Sequence, residues 1–392
     1  MATPGARTLS GLHNRARRLG RFVPRGVGDR LPSLMSMELA NFVDGEFVSM
    51  AGDQTEIVDP ATGEVYAEAP RSDAREIDRA CAAAARAFGG WRRTTPAERM
   101  GHLLRMADAL MAMWKIGPAL AAGNTIVLKP SDTTPASAVY LAGLFAGTLP
   151  PGVLNVVCGD RDTGAALAAH PVPAMVSITG STAAGRAVAR SAADTVKRAH
   201  LELGGNAPVV IFEDAGLEAA AEAVGFAGYF NAGQDCTAAT RVIVAKRAHD
   251  AFVAALVDRV RAIRLSPEET GDGTLAIPPL NNPAQLAHVA GLVARTPSHA
   301  KVIEGGETAG GPGYFYRPTV VDGITAADEL GRTELFGPVV TVQTCAGEAD
   351  AIRQGPVALL RRGVHARQAR HVGVRRGRRV TCPLSAFGGC DS

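Results

Sequence analysis

The stretch Phe230-Asn231-Ala232-Gly233-Gln234-Asp235-Cys236-Thr237 sets a thiol just past a helical segment, in a loop whose glycine lets backbone come close. A thiolate attacks carbonyl carbon readily, and a nearby base or helix dipole that lowers its pKa makes it available. Read alone, a cysteine there serves equally well as a small buried hydrophobe. Glu202 lies 34 residues earlier, between Leu201 and Leu203 and before Gly204-Gly205. An acid held among apolar side chains has a raised pKa and trades protons near neutrality, whereas a solvated glutamate at a strand end does neither.

Three further groups have types suited to a nucleotide. Thr179-Gly180-Ser181-Thr182-Ala183-Ala184-Gly185 follows an apolar strand and opens a helix, so free N–H groups and the Ser181 hydroxyl suit a phosphate. The spacing departs from G-x-G-x-x-G, and a plain strand-to-helix turn reads the same way. Lys129-Pro130-Ser131-Asp132 ends another strand, where a ribose would rest and a lysine could donate to its hydroxyls. Glu334-Leu335-Phe336-Gly337-Pro338 adds a carboxylate before a turn. The six cysteines form no C-x-x-C pair and no Cys/His spacing suited to zinc, so no metal site is expected and the thiols read as reduced, in a cytoplasmic protein.

The elements that must position these groups follow from periodicity. Asp44-Gly45 between apolar residues predicts a tight hairpin, and Asp59-Pro60 to Gly63 a turn after the strand Thr55–Val58. A helix capped by Ser72 runs to Phe88, and a second covers Pro96–Trp114. Strands at 125–129, 153–158 and 174–178 each precede a helix, from Ser137, Asp162 and Thr182. Apolar strands separated by helices imply parallel pairing with both sheet faces covered, and a nucleotide crevice is expected at the strand C-termini. A second α/β unit follows: strand 207–212, helix 217–230, strand 241–245 and helix 248–263, its pattern weakening after Gln343.

Taken together and in this order, the five motifs resemble those of the aldehyde dehydrogenase superfamily over about residues 38 to 354. The matching residues are Lys129-Pro130-Ser131, Thr179-Gly180-Ser181-Thr182, Leu201-Glu202-Leu203-Gly204-Gly205, Gly233-Gln234-x-Cys236 and Glu334-x-Phe336-Gly337-Pro338. The resemblance implies a Rossmann-type dinucleotide-binding domain, 37–203, and an α/β catalytic domain, 204–354. It implies NAD as cofactor, with NADP as the alternative, and an aldehyde as substrate. Cys236 would be the nucleophile and Glu202 the general base. Lys129 would bind the adenosine ribose, with Asp132 where many relatives have Glu; Gly180 and Ser181 would approach the pyrophosphate, and Glu334 and Phe336 the nicotinamide ribose. Ser131, Gly185 and Leu203 complete the expected dinucleotide contacts. The segments Val43–Phe47, Leu280–Gln285 and Gly233–Cys236 resemble most the branch acting on γ-aminobutyraldehyde or betaine aldehyde, and Asp235 could attract a cationic substrate tail.

The fold is expected to be incomplete. In the family several dozen residues separate Ala107–Leu110 from Met111–Leu120, which are fused here; the absent piece carries the first strand of the nucleotide sheet and a Trp-Asn-aromatic-Pro motif whose Asn helps form the oxyanion hole. Only the Cys236 N–H would then stabilise the oxyanion, and losing one such donor costs ~10²–10³ in kcat. Residues 1–36 hold seven arginines against one acid, and 355–392 eight against one. The first reads as a disordered extension, a transit peptide or a start placed too early, and the second as a shifted reading frame. Of the 41 basic and 38 acidic side chains, removing these two ends leaves a body net acidic by 10, which gives no reason to expect nucleic-acid binding. No run approaches the ~20 apolar residues of a membrane span. The family forms homo-oligomers through strands that this chain would lack. Two other readings stand beside a working dehydrogenase: an inactive nucleotide-binding remnant, and a cofactor-independent thioesterase using Cys236 and Glu202.

Overall fold

A computed structural model describes residues 39–48, 52–106, 113–267 and 274–354. The expectations for 1–36, for the junction at 110/111 and for 355–392 lie outside them. The chain divides into two compact units. One comprises residues up to Val58, Val65–Thr179 and Ala183–Glu202; the other comprises Asp59–Glu64, Gly180–Thr182 and the residues from Leu203 on.

In the first unit, β1 (Asn41–Val43) and β2 (Glu46–Val48) form the expected hairpin. Asp44 (φ 58°) and Gly45 (φ 88°) are both left-handed, the conformation that matches a two-residue turn to strand twist. β3 (Gln54–Val58) and β4 (Val65–Pro70) pair antiparallel. α1 (Ala74–Trp91) is capped by Asp73 rather than by Ser72. Asp73 Oδ1 accepts from the N–H groups of Arg75 and Glu76 at 2.8 and 3.1 Å, and Glu76 Oε2 accepts from the Asp73 N–H at 2.8 Å. This reciprocal box is worth about 1 kcal/mol. Ser72 is buried instead, its hydroxyl accepting from Asn41 Nδ2 at 2.7 Å. The buried face of α1 includes Ile77, Ala80 and Cys81, and burial pushes the Cys81 thiol up to about 11.

The single helix expected over 96–114 is described as α2 (Pro96–Met106) and α3 (Met113–Ala121), with 107–112 undescribed between them. After β5 (Ile126–Leu128) come α4 (Ala136–Phe145), β6 (Leu154–Val156), α5 (Arg161–Ala169), β7 (Met175–Gly180), α6 (Thr182–Asp194) and β8 (Arg198–Leu203). The expected parallel pairing forms in two separate places. One sheet runs β2-β1-β6-β5, with β5 and β6 parallel and β1 antiparallel to β6. β7 and β8 form a separate pair. Hydrogen bonds from Arg198 N to Ala174 O and from Gly204 N to Gly180 O advance in the same direction along both strands, so that pair is parallel.

The split has a physical reason in the sequence. Parallel strands hold one sheet only through a hydrogen-bonded neighbour, and the fused junction omits the segment that the resemblance assigns to the first strand. Among the described residues, no strand pairs with the outer edge of β5 or with the second edge of β7. Asn155, fully buried, compensates on the other side of β5. Its amide donates to Ile126 O and Gly152 O and accepts from the Asp44 N–H, so its polar atoms are satisfied where apolar strands meet.

The second unit keeps the expected order: β9 (Pro208–Ile211), α7 (Leu217–Tyr229), a 3-10 turn Phe230–Gly233, β10 (Arg241–Ala245) and α8 (His249–Arg261). It continues with β11 (Arg264–Leu265), β12 (Ala276–Ile277), α9 (Pro283–Ala294), β13 (Lys301–Glu304), β14 (Thr319–Asp322), α10 (Glu329–Arg332), β15 (Val339–Cys345) and α11 (Glu348–Gln354). The main sheet runs β13-β14-β15-β10-β9, parallel except for β13. All five residues of β10 are buried, the pattern of a strand covered on both faces. Val242, Val244, Val340 and Val342 share a core with Tyr229, Phe252, Leu256, Val289 and Leu292.

Candidate active site

Cys236 is exposed, in the loop between α7 and β10. Three consecutive residues ahead of it are left-handed: Asn231 (φ 51°), Ala232 (φ 55°) and Gly233 (φ 68°). Two of them carry side chains, so surrounding contacts must hold the strain. Asn231 Nδ2 donates to Gln234 O at 3.0 Å, and Gln234 Oε1 accepts from the Asn281 N–H at 2.9 Å. Gly233 packs directly on Gly337, where any side chain would strike the Gly337 carbonyl. Gln285 Nε2 donates to the carbonyls of Leu335 and Phe336, each at 2.9 Å. The loop bearing the thiol is thus seated on the turn bearing Phe336, itself left-handed at φ 49° and partly exposed. Asp235 Oδ1 accepts from both the N–H and the hydroxyl of Thr237 at 2.7 Å, which fixes the turn around Cys236.

Glu334 reaches the Leu203-Gly204-Gly205 segment. A side chain on Gly204 would occupy the place of the Glu334 carboxylate. Burial holds this carboxyl above the ordinary glutamate range, opposed by the Gly205 N–H, which hydrogen-bonds to it. Among the described residues, its Oε1 is buried with no hydrogen-bond partner. Gly204 N in turn donates to Gly180 O at 3.2 Å, next to the exposed Ser181 that precedes α6. Four motifs distant in sequence therefore meet within the second unit: Gly180-Ser181, Leu203–Gly205, Gly233–Cys236 and Glu334–Gly337.

The first unit holds the others. Lys129 follows β5, and its Nζ donates to Pro130 O at 2.6 Å and to Gly159 O at 2.8 Å. Burial lowers its pKa, opposed by Asp132, Cys158 and Asp160. Ser131 and Asp132 are exposed in the turn that follows, and Gly185 is buried in the first turns of α6. Of the two settings the sequence left open for Glu202, next to last in β8, the solvated one is found. Its side chain is 57% exposed, because strand alternation turns Leu201 and Leu203 to one face and Glu202 to the other. There its Oε1 lies 3.1 Å from His200 Nε2. His200 Nδ1 is 3.0 Å from Ser177 Oγ on β7, and Lys115 Nζ of α3 donates to that same oxygen at 2.7 Å. Motif reading missed these three residues. The one signal available was alternation, which sets 177, 200 and 202 on one face of adjacent strands.

Comparison with known proteins decides the relationship. The family model described as "Aldehyde dehydrogenase family" matches residues 47–112 and 109–355. The chain belongs to the aldehyde dehydrogenase family. The two matched stretches of this aldehyde dehydrogenase chain meet at the fused junction. It is 41% identical over 244 residues to a betaine aldehyde dehydrogenase of Cereibacter sphaeroides (strain ATCC 17029 / ATH 2.4.9), a match covering 62% of this chain and 50% of the relative. The chain thus spans about half the length of that curated relative. Its fold is similar to the crystal structure of lactaldehyde dehydrogenase from Escherichia coli, with TM-score 0.77 and 30% identity over 81% of this chain and 84% of the other. It is also similar to 3,6-anhydro-L-galactose dehydrogenase in complex with NAP, with TM-score 0.77 and 27% identity over 81% and 84%.

Each unit, taken by itself, holds a group suited to part of a dinucleotide. The orphaned, buried Glu334 Oε1 is an acceptor that a ribose hydroxyl would satisfy. Lys129 has spent two of its three ammonium donors on carbonyls, which leaves one for a further hydroxyl. Among the described residues there is no cluster of His, Cys, Asp or Glu suited to a metal ion, and no helix is long and apolar enough to cross a membrane.

Proposed function

We propose that this chain oxidises an aldehyde to a carboxylate with NAD(P), through a covalent adduct on Cys236. The observation that carries the reading is the seating of the exposed Cys236 loop on the Phe336-Gly337 turn, in a chain matched by the family model through both motifs.

Cys236 Sγ would add to the aldehyde carbon, forming a C–S bond and placing negative charge on the former carbonyl oxygen. The Cys236 N–H is the donor left for that oxyanion, since the sequence lacks the Trp-Asn-aromatic-Pro segment. When bound, NAD(P) supplies the hydride acceptor that turns the adduct into a thioester. Lys129, Ser181, Glu334 and Phe336 would hold it, with Gly180 and Gly204 admitting close backbone approach. Glu202 would take one proton from the water that attacks the thioester; the C–S bond then breaks to release thiolate and the carboxylic acid, which loses its remaining proton to solvent.

For substrate we favour an ω-aminoaldehyde or betaine aldehyde. The relative named betaine aldehyde dehydrogenase supports this class, as do the segments Val43–Phe47 and Leu280–Gln285. Reduced-cofactor absorbance, followed with γ-aminobutyraldehyde, betaine aldehyde and uncharged aldehydes of matched length, tests the reading with both NAD and NADP. Turnover abolished by Cys236→Ala is the expected result; equal rates with uncharged aldehydes would remove the substrate assignment. The split between β5 and β7 favours one alternative, a nucleotide-binding remnant. Saturable NAD binding without turnover would establish it.

A further inference from the structure

The exposure of Glu202 raises a question about the proposed base. A carboxylate standing in solvent is not fixed by packing against its neighbours, and the Glu202 side chain is 57% exposed. What it has instead is a continuous line of proton-carrying groups: Glu202 Oε1 to His200 Nε2 at 3.1 Å, His200 Nδ1 to Ser177 Oγ at 3.0 Å, and Ser177 Oγ to Lys115 Nζ at 2.7 Å. All four belong to the first unit, on β8, β7 and α3. Parallel pairing of β7 with β8 and the two-residue alternation of side chains set Ser177 beside His200 and Glu202. α3 supplies the lysine from outside the pair.

We propose that His200, with Ser177 and Lys115 behind it, is a positioning residue that orients Glu202 for the hydrolytic water. The proposal rests on Glu202 acting as the base. Lys115 Nζ donates to Ser177 Oγ, which turns the Ser177 hydroxyl proton toward His200 Nδ1 and leaves the His200 proton on Nε2, to be donated to Glu202 Oε1. Every donor then points toward Glu202, so one carboxylate oxygen is held while the other stays open. Water gives its proton to that oxygen as its own oxygen bonds to the thioester carbon, and the exposed Glu202 passes the proton on to solvent.

His200 is 49% exposed, so its replacement should leave the fold intact, as a thermal melt would verify. The test uses the full chain, measuring kcat and KM for aldehyde oxidation in the unaltered protein, Glu202→Gln, His200→Gln, His200→Ala and Ser177→Ala. Glu202→Gln should show the largest loss of kcat. His200→Gln should lose kcat by roughly 10-fold, with KM unchanged, because the interaction acts after binding. Added imidazole should restore part of the rate to His200→Ala but none to Glu202→Gln, a rescue that a merely structural histidine would not show. Ser177→Ala should give a smaller loss. If Glu202→Gln fails while His200→Gln keeps the full kcat and His200→Ala ignores imidazole, the positioning role is refuted and the dehydrogenase reading survives. If the unaltered chain shows no turnover, both are refuted together.

Discussion

Gly233 is where chemistry and backbone geometry constrain one residue most tightly. Its φ of 68° and its contact with the Gly337 carbonyl both exclude a side chain. Gly233→Ala should therefore destabilise the protein by about 3 kcal/mol, read as a fall in melting temperature, and should displace the Cys236 loop enough to lower turnover further. Glu334 gives a prediction with a sign. Burial raises its folded-state pKa above the unfolded value of 4.5, so its contribution to stability is full at acid pH and is lost as pH rises through the folded value. Glu334→Gln removes that penalty. The variant should melt above the unaltered protein at pH 7 to 8, with the difference closing toward pH 4, and it should bind NAD more weakly because a ribose acceptor is gone. A melting difference that stays constant across this range would refute the assignment of burial as the cause. At this scale the sequence exposed residue types and order well. It did not expose burial: Leu201 and Leu203 left Glu202 readable as enclosed or solvated, strand alternation turns it outward, and the half-buried carboxyl is Glu334.

Strand and helix positions were legible because periodicity is local. Arg241–Ala245 has the expected bounds, and the helix starting at Thr182 begins as expected. Pairing was not legible, because a strand's neighbour depends on which other strands exist. β10 lies between β15 and β9, with all its residues buried. Among the described residues β7 has β8 alone beside it, and exposed positions recur along both. Amide hydrogen exchange should follow that contrast, with β10 and β15 protected at least ~10²-fold more than β7 and β8. Equal protection would mean that β7 has a partner not described by the sheet order. The Ser72-to-Asp73 change of cap is a smaller case of the same kind. Both residue types cap helices, and only the demand of Asn41 for a buried partner decides which one is free to do so.

The two units differ in how their cores are built. The second gathers most of its apolar residues from Ile211 to Val342 into one large cluster on a five-stranded sheet, with a small one of Ile243, Ala245, Cys345 and Ala351 beside it. The first distributes them over several smaller clusters, such as Leu39, Phe42 and Ile57 in one and Trp91, Ile116 and Leu120 in another. Larger continuous cores unfold at higher temperature for the same chain entropy. Calorimetry of the whole chain should show two transitions, the first unit melting first, and saturating NAD should raise the lower one most. A single cooperative transition would show that the units unfold together. Among the described residues no strand covers one flank of Ile126–Leu128 or of Met175–Gly180, which carries a further consequence for the protein in bulk. Backbone donors and acceptors left on a parallel ribbon will take another chain as readily as a strand of their own. Light scattering should therefore rise with protein concentration well before unfolding, and a lysine placed at Met175 should hold the molecules apart.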